Sequence, residues 1–364
     1  MRVVQVGKFY PPEYLGGLET VVVNLTTELV RRGIGVTAVV SAVRGRGGAD
    51  TYGAVRVVRA RSYGTVLSQP ITPALPRLVR ESPGDLVHLH HPNPLGDLAV
   101  LRDRRPLVIT QHSDVVRQRA LAPFYGPIVR RALERARFVA IGSEQLLRTS
   151  RELRGFEAKV RVIPFGIDSS RFAATPAVLE REGALRAAWG GRPTVLAVGR
   201  LVGYKGFDVL LRAMATLDAT VVIVGTGPEE PRLRALAAAN TRFAGRVSEE
   251  DLIAHYHAAD VFCLPSVTIA EAFGIVLLEA MACGKPLVTT ALPTGVSAVN
   301  RDGETGLVVP PGDAGALREA LSTLLEDPAR REAMGEAARD VQTREYGAAL
   351  MGARYAKLYE EALG

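Results

Sequence analysis

Glu271-Ala-Phe-Gly-Ile-Val-Leu-Leu-Glu279-Ala-Met-Ala-Cys-Gly-Lys-Pro286 sets two carboxylates on either side of an apolar helix start. Uncompensated charge is costly there, so these carboxylates are expected to hold a polar ligand. Gly274 permits close backbone approach, and the amides around the helix start point into the space before it, as an anion site requires. Glu279 falls on the first turns and Glu271 in the loop ahead. Eight helical residues rise only about 12 Å, so the two side chains are placed to touch opposite ends of one elongated ligand rather than one metal ion. A sugar nucleotide has that shape.

Outward from this stretch, short β-branched runs alternate with helical patterns. Residues 3–6, 36–40, 55–58, 86–89, 107–110, 139–141 and 160–163 read as strands. Between them lie helices such as 19–32, ended by Gly33, and 143–153, opened by a Ser cap. This is the mark of a parallel sheet with crossover helices. The rhythm stops at Phe165-Gly-Ile-Asp168 and restarts at 194–198, so residues 166–192 are expected to connect two domains. A second set follows, with strands at 221–224, 260–264, 286–289 and 307–309 and helices near 207–217, 229–240, 249–258 and 275–282. The expected division is 1–168, 169–345, and a last helix in 346–364 with Tyr355 and Tyr359 on one face.

At 364 residues the chain exceeds one ordinary core, which fits two domains. No apolar run approaches the roughly twenty residues of a bilayer span, and Arg2-Val-Val-Gln-Val6 has no signal-peptide layout, so a cytoplasmic protein is expected. Cys263 and Cys283 lie in apolar stretches and read as small buried hydrophobes.

Charge is unevenly divided. Residues 1–168 carry 25 Lys and Arg against 14 Asp and Glu, and residues 169–364 carry 20 against 24, within a net charge of +7. A basic first half faces something anionic. Between Val115 and Phe138, arginines 117, 119, 130, 131, 135 and 137 alternate with Leu121, Phe124, Tyr125, Ile128, Val129 and Leu133, a basic amphipathic pattern broken by Pro123 and Pro127. The pattern favours a lipid surface, with a solvated helix face as the plain alternative. No aromatic set, zinc spacing or recognition helix argues for nucleic acid.

Gly16-Gly17 stands between the first strand and a helix, where bare amides can approach a phosphate. The chain uses five lysines against forty arginines, so Lys205 in a Gly-flanked turn five residues after Arg200 invites a functional reading. A compact ammonium and a forked guanidinium suit a diphosphate leaving group. His88-Leu-His-His91 on a strand projects two imidazoles to one face, but nothing supplies the rest of a metal shell. His255 and His257 diverge by about 200° on a helix, and no Asp-x-Asp occurs, so no metal is expected.

The ordered set of Gly16-Gly17-Leu-Glu19, Gly199-Arg200, Lys205-Gly206, Gly225-Thr-Gly-Pro228, Glu271-x7-Glu279 and Thr305-Gly-Leu307 resembles family 4 retaining glycosyltransferases of the GT-B fold. It spans nearly the whole chain. The resemblance implies an α/β architecture of two Rossmann-like doubly wound domains facing a central cleft, acceptor side first and nucleotide-sugar donor side second. It also implies that the last helix crosses back to the first domain.

By the same resemblance, Arg200 and Lys205 hold the donor's phosphates, Glu279 the ribose hydroxyls and Glu271 the transferred sugar. The amides of Phe273, Gly274, Ile275 and Val276 assist, and Gly16 and Gly17 bind phosphate. Phe243-Ala-Gly-Arg-Val247 looks like the base-contacting turn, with backbone at Arg246 and Val247. His112, in Ile109-Thr-Gln-His-Ser-Asp114, matches a histidine at the sugar's rim that donates to a hydroxyl, with Asp114 orienting it or meeting the acceptor. His90 and His91 are expected to line the cleft.

The implied enzyme is a metal-independent, retaining hexosyltransferase without a cofactor. It moves a hexose from a nucleotide diphosphate sugar to a lipid-linked or saccharide acceptor, in the cytoplasm or peripherally on the inner membrane face. Leu292-Pro-Thr-Gly-Val296 with Asn300 resembles members that assemble mannose-containing polysaccharides, which favours GDP-mannose and leaves UDP-hexoses open. The rivals are a nucleotide-sugar epimerase of the same plan and a catalytically silent membrane adaptor.

Overall fold

The computed structural model describes residues 1–13, 16–66, 69–114 and 122–364. The chain divides into two compact units, residues 1–167 with 348–364, and residues 168–347.

The first unit holds β1 (Arg2–Val6), α1 (Gly17–Arg31), β2 (Gly35–Ser41), β3 (Gly48–Tyr52), β4 (Val55–Ala60), and the short hairpin of β5 (Thr65–Val66) and β6 (Gln69–Pro70). There follow α2 (Leu75–Glu81), β7 (Leu86–His91), α3 (Pro94–Leu101), β8 (Leu107–Gln111), α4 (Ala122–Arg135), β9 (Phe138–Ile141), α5 (Glu144–Thr149) and β10 (Val160–Val162). Its sheet runs β10-β9-β8-β7-β1-β2-β4-β3, parallel except for β3. β1, β7 and β8 are buried on both faces because helices cover both sides. β3 went unread because its five residues are all exposed and carry no apolar alternation.

The second unit holds α6 (Pro176–Ala188), β11 (Thr194–Val198), α7 (Phe207–Met214), β12 (Thr220–Val224), α8 (Glu230–Leu236), β13 (Thr241–Gly245) and α9 (Glu249–Ala258). It continues with β14 (Val261–Leu264), α10 (Ile275–Ala282), β15 (Leu287–Thr290), α11 (Val296–Val299), β16 (Gly306–Val309), α12 (Ala314–Glu326) and α13 (Pro328–Glu345). Six parallel strands run β13-β12-β11-β14-β15-β16. In chain order that is 3-2-1-4-5-6, the dinucleotide-binding order, with its reversal between β11 and β14. Gly306 opens β16 against β15 so closely that a Cβ there would lie 1.9 Å from the Leu287 carbonyl oxygen.

The last helix, α14 (Ala348–Leu363), belongs to the first unit. Met351, Tyr355, Leu358, Tyr359 and Ala362 make its buried stripe against α1 and β8.

Four expectations need correction. Residues 166–192 are no bare connection, since α6 takes up 13 of them and packs on α9. Its low amphipathicity hid it, because only Val178 of the helix is fully buried. The helix expected over 229–240 stops at Leu236, where Ala237 turns extended to feed β13. Ser143 sits at the start of α5 but its side chain makes no capping bond. α4 runs through Pro127 instead of breaking there. One lost amide bond is outweighed by burying Val129, Ala132 and Leu133 on the core.

Of the basic amphipathic stretch, residues 115–121 lie outside the described residues, with Arg117, Arg119 and Leu121 among them. Arg130 and Arg131 are exposed, whereas Arg135 donates to the Arg105 carbonyl at 2.5 Å.

Candidate functional site

Ligands in such sheets settle at the carboxyl ends of the strands where the order reverses. Two loops meet there in the second unit. The loop after β11 carries Gly199, Arg200 and a 3-10 turn from Gly203 to Lys205, and the loop after β14 carries Ser266 and Glu271. They are stitched together where Val267 N–H donates to the Tyr204 carbonyl at 2.8 Å. Gly206 caps α7 at φ 68°, and a Cβ on it would fall 2.0 Å from the Pro265 carbonyl oxygen, so only glycine lets the loops close.

That closure joins Lys205 Nζ to Glu271 Oε2 at 2.6 Å, with Ser266 Oγ donating to the same oxygen at 3.0 Å. Both residues are buried. Burial pulls the Lys205 ammonium down, but Glu271 beside it more than offsets this and holds it above the usual lysine range. Arg200 is exposed and has no ion-pair partner among the described residues. The two expected phosphate cations therefore differ: Lys205 is fixed in place by a carboxylate, and Arg200 is open to solvent.

Beyond Glu271 the chain enters α10 through Gly274 at φ 79°, and the first-turn amides of a helix have no acceptors within it. Glu279 lies one turn in, where Tyr256 of α9 donates to Oε2 at 2.7 Å. Burial pushes its carboxyl up to about 7, against the Tyr256 bond and the charge of Arg171. Phe273 packs edge-on against Tyr346 at 6.2 Å. Glu271, Phe273, Gly274, Ile275, Val276 and Glu279 thus surround one helix start, with Lys205 added from the loop after β11.

Phe243, Ala244 and Gly245 are not a turn but the end of edge strand β13, and the Phe243 ring is covered by the Arg234 guanidinium at 4.6 Å. Arg246, exposed, and Val247, half-buried, follow the strand's carboxyl end. Asn300 is engaged in structure, its amide bonding Thr289 at 2.9 Å and the Leu307 carbonyl at 3.1 Å across β15 and β16.

In the first unit Gly16 caps α1 and Gly17 opens it, with open space where a Cβ on Gly17 would stand. Glu19 in that first turn is buried. Burial raises its carboxyl, with the backbone N–H groups of Glu19 and Gly16 pulling it back, so part of the helix start already serves an internal carboxylate.

His112 follows β8 with its N–H on the His91 carbonyl at 3.0 Å and its ring against Phe165. Burial pushes it down to about 3, so it is neutral. Asp114 does not orient it; that carboxylate accepts from Ser150 Oγ at 2.5 Å and from Arg151 N–H at 2.8 Å. The expected placement of His90 and His91 as lining residues is not seen, since both are buried and bonded internally. His90 lies 2.8 Å from Gln5, and His91 Nδ1 2.9 Å from Asp97. Burial lowers His91, but Asp97 and Glu152 outweigh it and raise it to about 10. Among the described residues no three His, Cys, Asp or Glu cluster as metal ligands.

Sequence reasoning missed Tyr256 and Ser266, the partners of the two glutamates. Tyr256 lies between the two histidines examined as metal ligands, and its signal was an aromatic hydroxyl in an otherwise apolar helix face.

The second unit thus gathers a lysine, a helix start and two carboxylates where its doubly wound strand order reverses. The profile described as Glycosyltransferase Family 4 matches residues 15–171, and that described as Glycosyl transferases group 1 matches residues 186–341. A D-rhamnosyltransferase, WbpZ, of Pseudomonas aeruginosa is 36% identical over 343 residues, covering 92% of this chain and 89% of that protein. A GDP-mannose-dependent alpha-(1-6)-phosphatidylinositol monomannoside mannosyltransferase of Mycolicibacterium smegmatis is 34% identical, covering 82% and 85%. Among solved structures, a sucrose-phosphate synthase from Thermosynechococcus elongatus superposes with a TM-score of 0.80 at 22% identity, covering 99% of this chain and 98% of that one. The chain belongs to glycosyltransferase family 4, with the GT-B fold, and is a hexosyltransferase.

Proposed function

We propose that the protein transfers mannose from GDP-mannose, with retention of the α configuration, to a hydroxyl of a lipid-linked or saccharide acceptor. The buried Lys205–Glu271 pair beside the α10 start is the observation that carries the reading. Lys205 and Arg200 neutralise the departing diphosphate, with the backbone amides of Phe273 to Val276 at the α10 start beside them. Glu279 accepts from the ribose hydroxyls, Glu271 from the sugar, and backbone at Arg246 and Val247 meets the base. Gly16 and Gly17 add amides from the first unit, and His112 meets a sugar hydroxyl.

With no residue assigned as a covalent nucleophile, the reaction is a same-face exchange. The C1–O bond to phosphate breaks as the C1–O bond to the acceptor forms, and the acceptor proton passes to the departing phosphate oxygen. No metal or cofactor takes part in this scheme.

Support for the sugar comes from relatives named for mannose and D-rhamnose, its 6-deoxy counterpart. Support for a lipid-linked acceptor comes from the phosphatidylinositol monomannoside in one of those names and from the basic first half of the chain. No helix among the described residues is long and apolar enough to cross a membrane, and the proposal places the enzyme peripherally on the inner membrane face.

Incubation with GDP-mannose, GDP-D-rhamnose and UDP-glucose, with and without EDTA and with and without lipid-linked acceptor, tests this. Acceptor-dependent GDP release, greatest with GDP-mannose, is expected, with an α-linked product by NMR. UDP release alone, a β linkage, or loss of activity in EDTA overturns the corresponding part.

A further inference from the structure

The buried polar side chains of the first unit form one unbroken line. His112 Nε2 lies 3.1 Å from His90 Nδ1, and His90 Nε2 lies 2.8 Å from Gln5 Oε1. Gln5 Nε2 donates to the Tyr359 hydroxyl at 3.0 Å, and that hydroxyl lies 2.7 Å from His88 Nδ1. His88 Nε2 lies 2.7 Å from Thr110 Oγ1, which lies 2.7 Å from the Tyr355 hydroxyl. The line crosses β1, β7 and β8 and ends on α14. Every member is buried.

A neutral imidazole has one N–H and one lone pair, so each ring passes hydrogen-bond direction from one side to the other. Burial pushes His88 and His112 down to about 3 and His90 well below the usual histidine range, so all three rings are neutral. The Gln5 amide then fixes the direction. With its oxygen toward His90, His90 carries its hydrogen on Nε2, His112 carries its hydrogen on Nε2, and His112 Nδ1 presents a lone pair. At the far end Tyr359 donates to His88, His88 to Thr110 and Thr110 to Tyr355. The Tyr355 hydrogen is then left without an acceptor among the described residues.

A half-turn of the Gln5 amide exchanges oxygen and nitrogen at the same two positions and reverses every bond. Tyr355 then donates, its hydrogen is no longer stranded, and His112 Nδ1 presents a hydrogen. His112 Nδ1 has no partner among the described residues, so this is the edge a ligand meets.

We propose that His90, Gln5, Tyr359, His88, Thr110 and Tyr355 act as one hydrogen-bond relay that sets the tautomer of His112. The terminal helix thereby decides whether His112 meets a substrate hydroxyl as donor or acceptor. This inference rests on the role proposed above for His112. The six are positioning residues, since they act on a substrate only through His112.

The protein has six histidines, so their ring nitrogens can be assigned one substitution at a time by long-range 1H–15N correlation. Tyr355→Phe removes the last hydroxyl of the line, and Tyr359→Phe cuts it. Both variants should move the His112 Nδ1 and Nε2 signals toward the average of two tautomers, although Tyr355 is six hydrogen bonds away. An even mixture halves the competent population, so kcat should fall about twofold with the donor KM unchanged. Should either tyrosine variant not fold, Gln5→Met supplies the same measurement from β1.

His112 signals matching those of the unaltered protein in the folded variants overturn the relay, and moved signals with unchanged kcat overturn its positioning role. His112→Gln separates the two readings. Full activity there overturns the role proposed for His112, while the tautomer shift in Tyr355→Phe still decides the relay.

Discussion

Glu279 shows how burial converts an ordinary side chain into a titrating one near neutrality. Its carboxyl rises from 4.5 to about 7, chiefly through burial. Between those values the folded protein keeps a proton that the unfolded chain has lost. The folded state binds more protons there, so stability falls as pH rises across that window. Glu279→Gln removes the effect, and thermal melts should diverge from the parent between about pH 5 and about pH 8, the variant gaining at the higher end. Parallel melting curves count against a raised carboxyl. Ribose hydroxyls bonded to the carboxylate favour its charged form, so GDP binding near neutrality should release a proton, read as a dependence of calorimetric heat on the buffer.

Residue types and spacing made Lys205, Glu271 and Glu279 legible as a group. They could not show that Lys205 and Glu271 form an ion pair, because the residues lie on loops of different strands and only the sheet brings those loops together.

The decisive element is α10 with its entry turn. Gly274 holds φ at 79°, and a Cβ there would stand 2.9 Å from Leu277 Cδ1 and 3.0 Å from Leu264 Cδ2. Gly274→Ala should cost about 1–3 kcal/mol of stability and weaken nucleotide binding more than Gly17→Ala, whose Cβ meets open space. Chemical denaturation and calorimetry with GDP check both, and equal losses for the two variants would contradict the role given to the α10 start.

Most strands of the two parallel sheets were readable, because strands covered on both faces form continuous β-branched runs. β13 and α6 were not. Both are half-exposed, and their sequences lack the periodicity that burial imposes.

At the scale of the molecule, α14 follows the second unit in sequence and completes the first. Ala348 N–H bonds the Ile167 carbonyl at 2.9 Å, and Tyr355 and Tyr359 are fully buried. Ending the chain at residue 347 should strip that stripe and unsatisfy Gln5 and His88. The first unit should lose several kcal/mol, by analogy with about 3–5 for deleting one large buried aromatic. Hydrogen exchange by mass spectrometry should show deprotection of β1, β7 and β8 with β11 and β12 unchanged; uniform deprotection of both units would refute it.

The amino-acid sequence alone determined the α/β class, the doubly wound plan, the family and the residues at the α10 start, since these follow from local periodicity and from motifs a few residues long. Only the tertiary structure decided which polar groups engage one another. Lys205 with Glu271, Tyr256 with Glu279, and the line from His112 to Tyr355 all join residues distant in the chain. Their partners are chosen by strand order and by burial, which leaves each polar atom to bond whichever group the fold brings within reach.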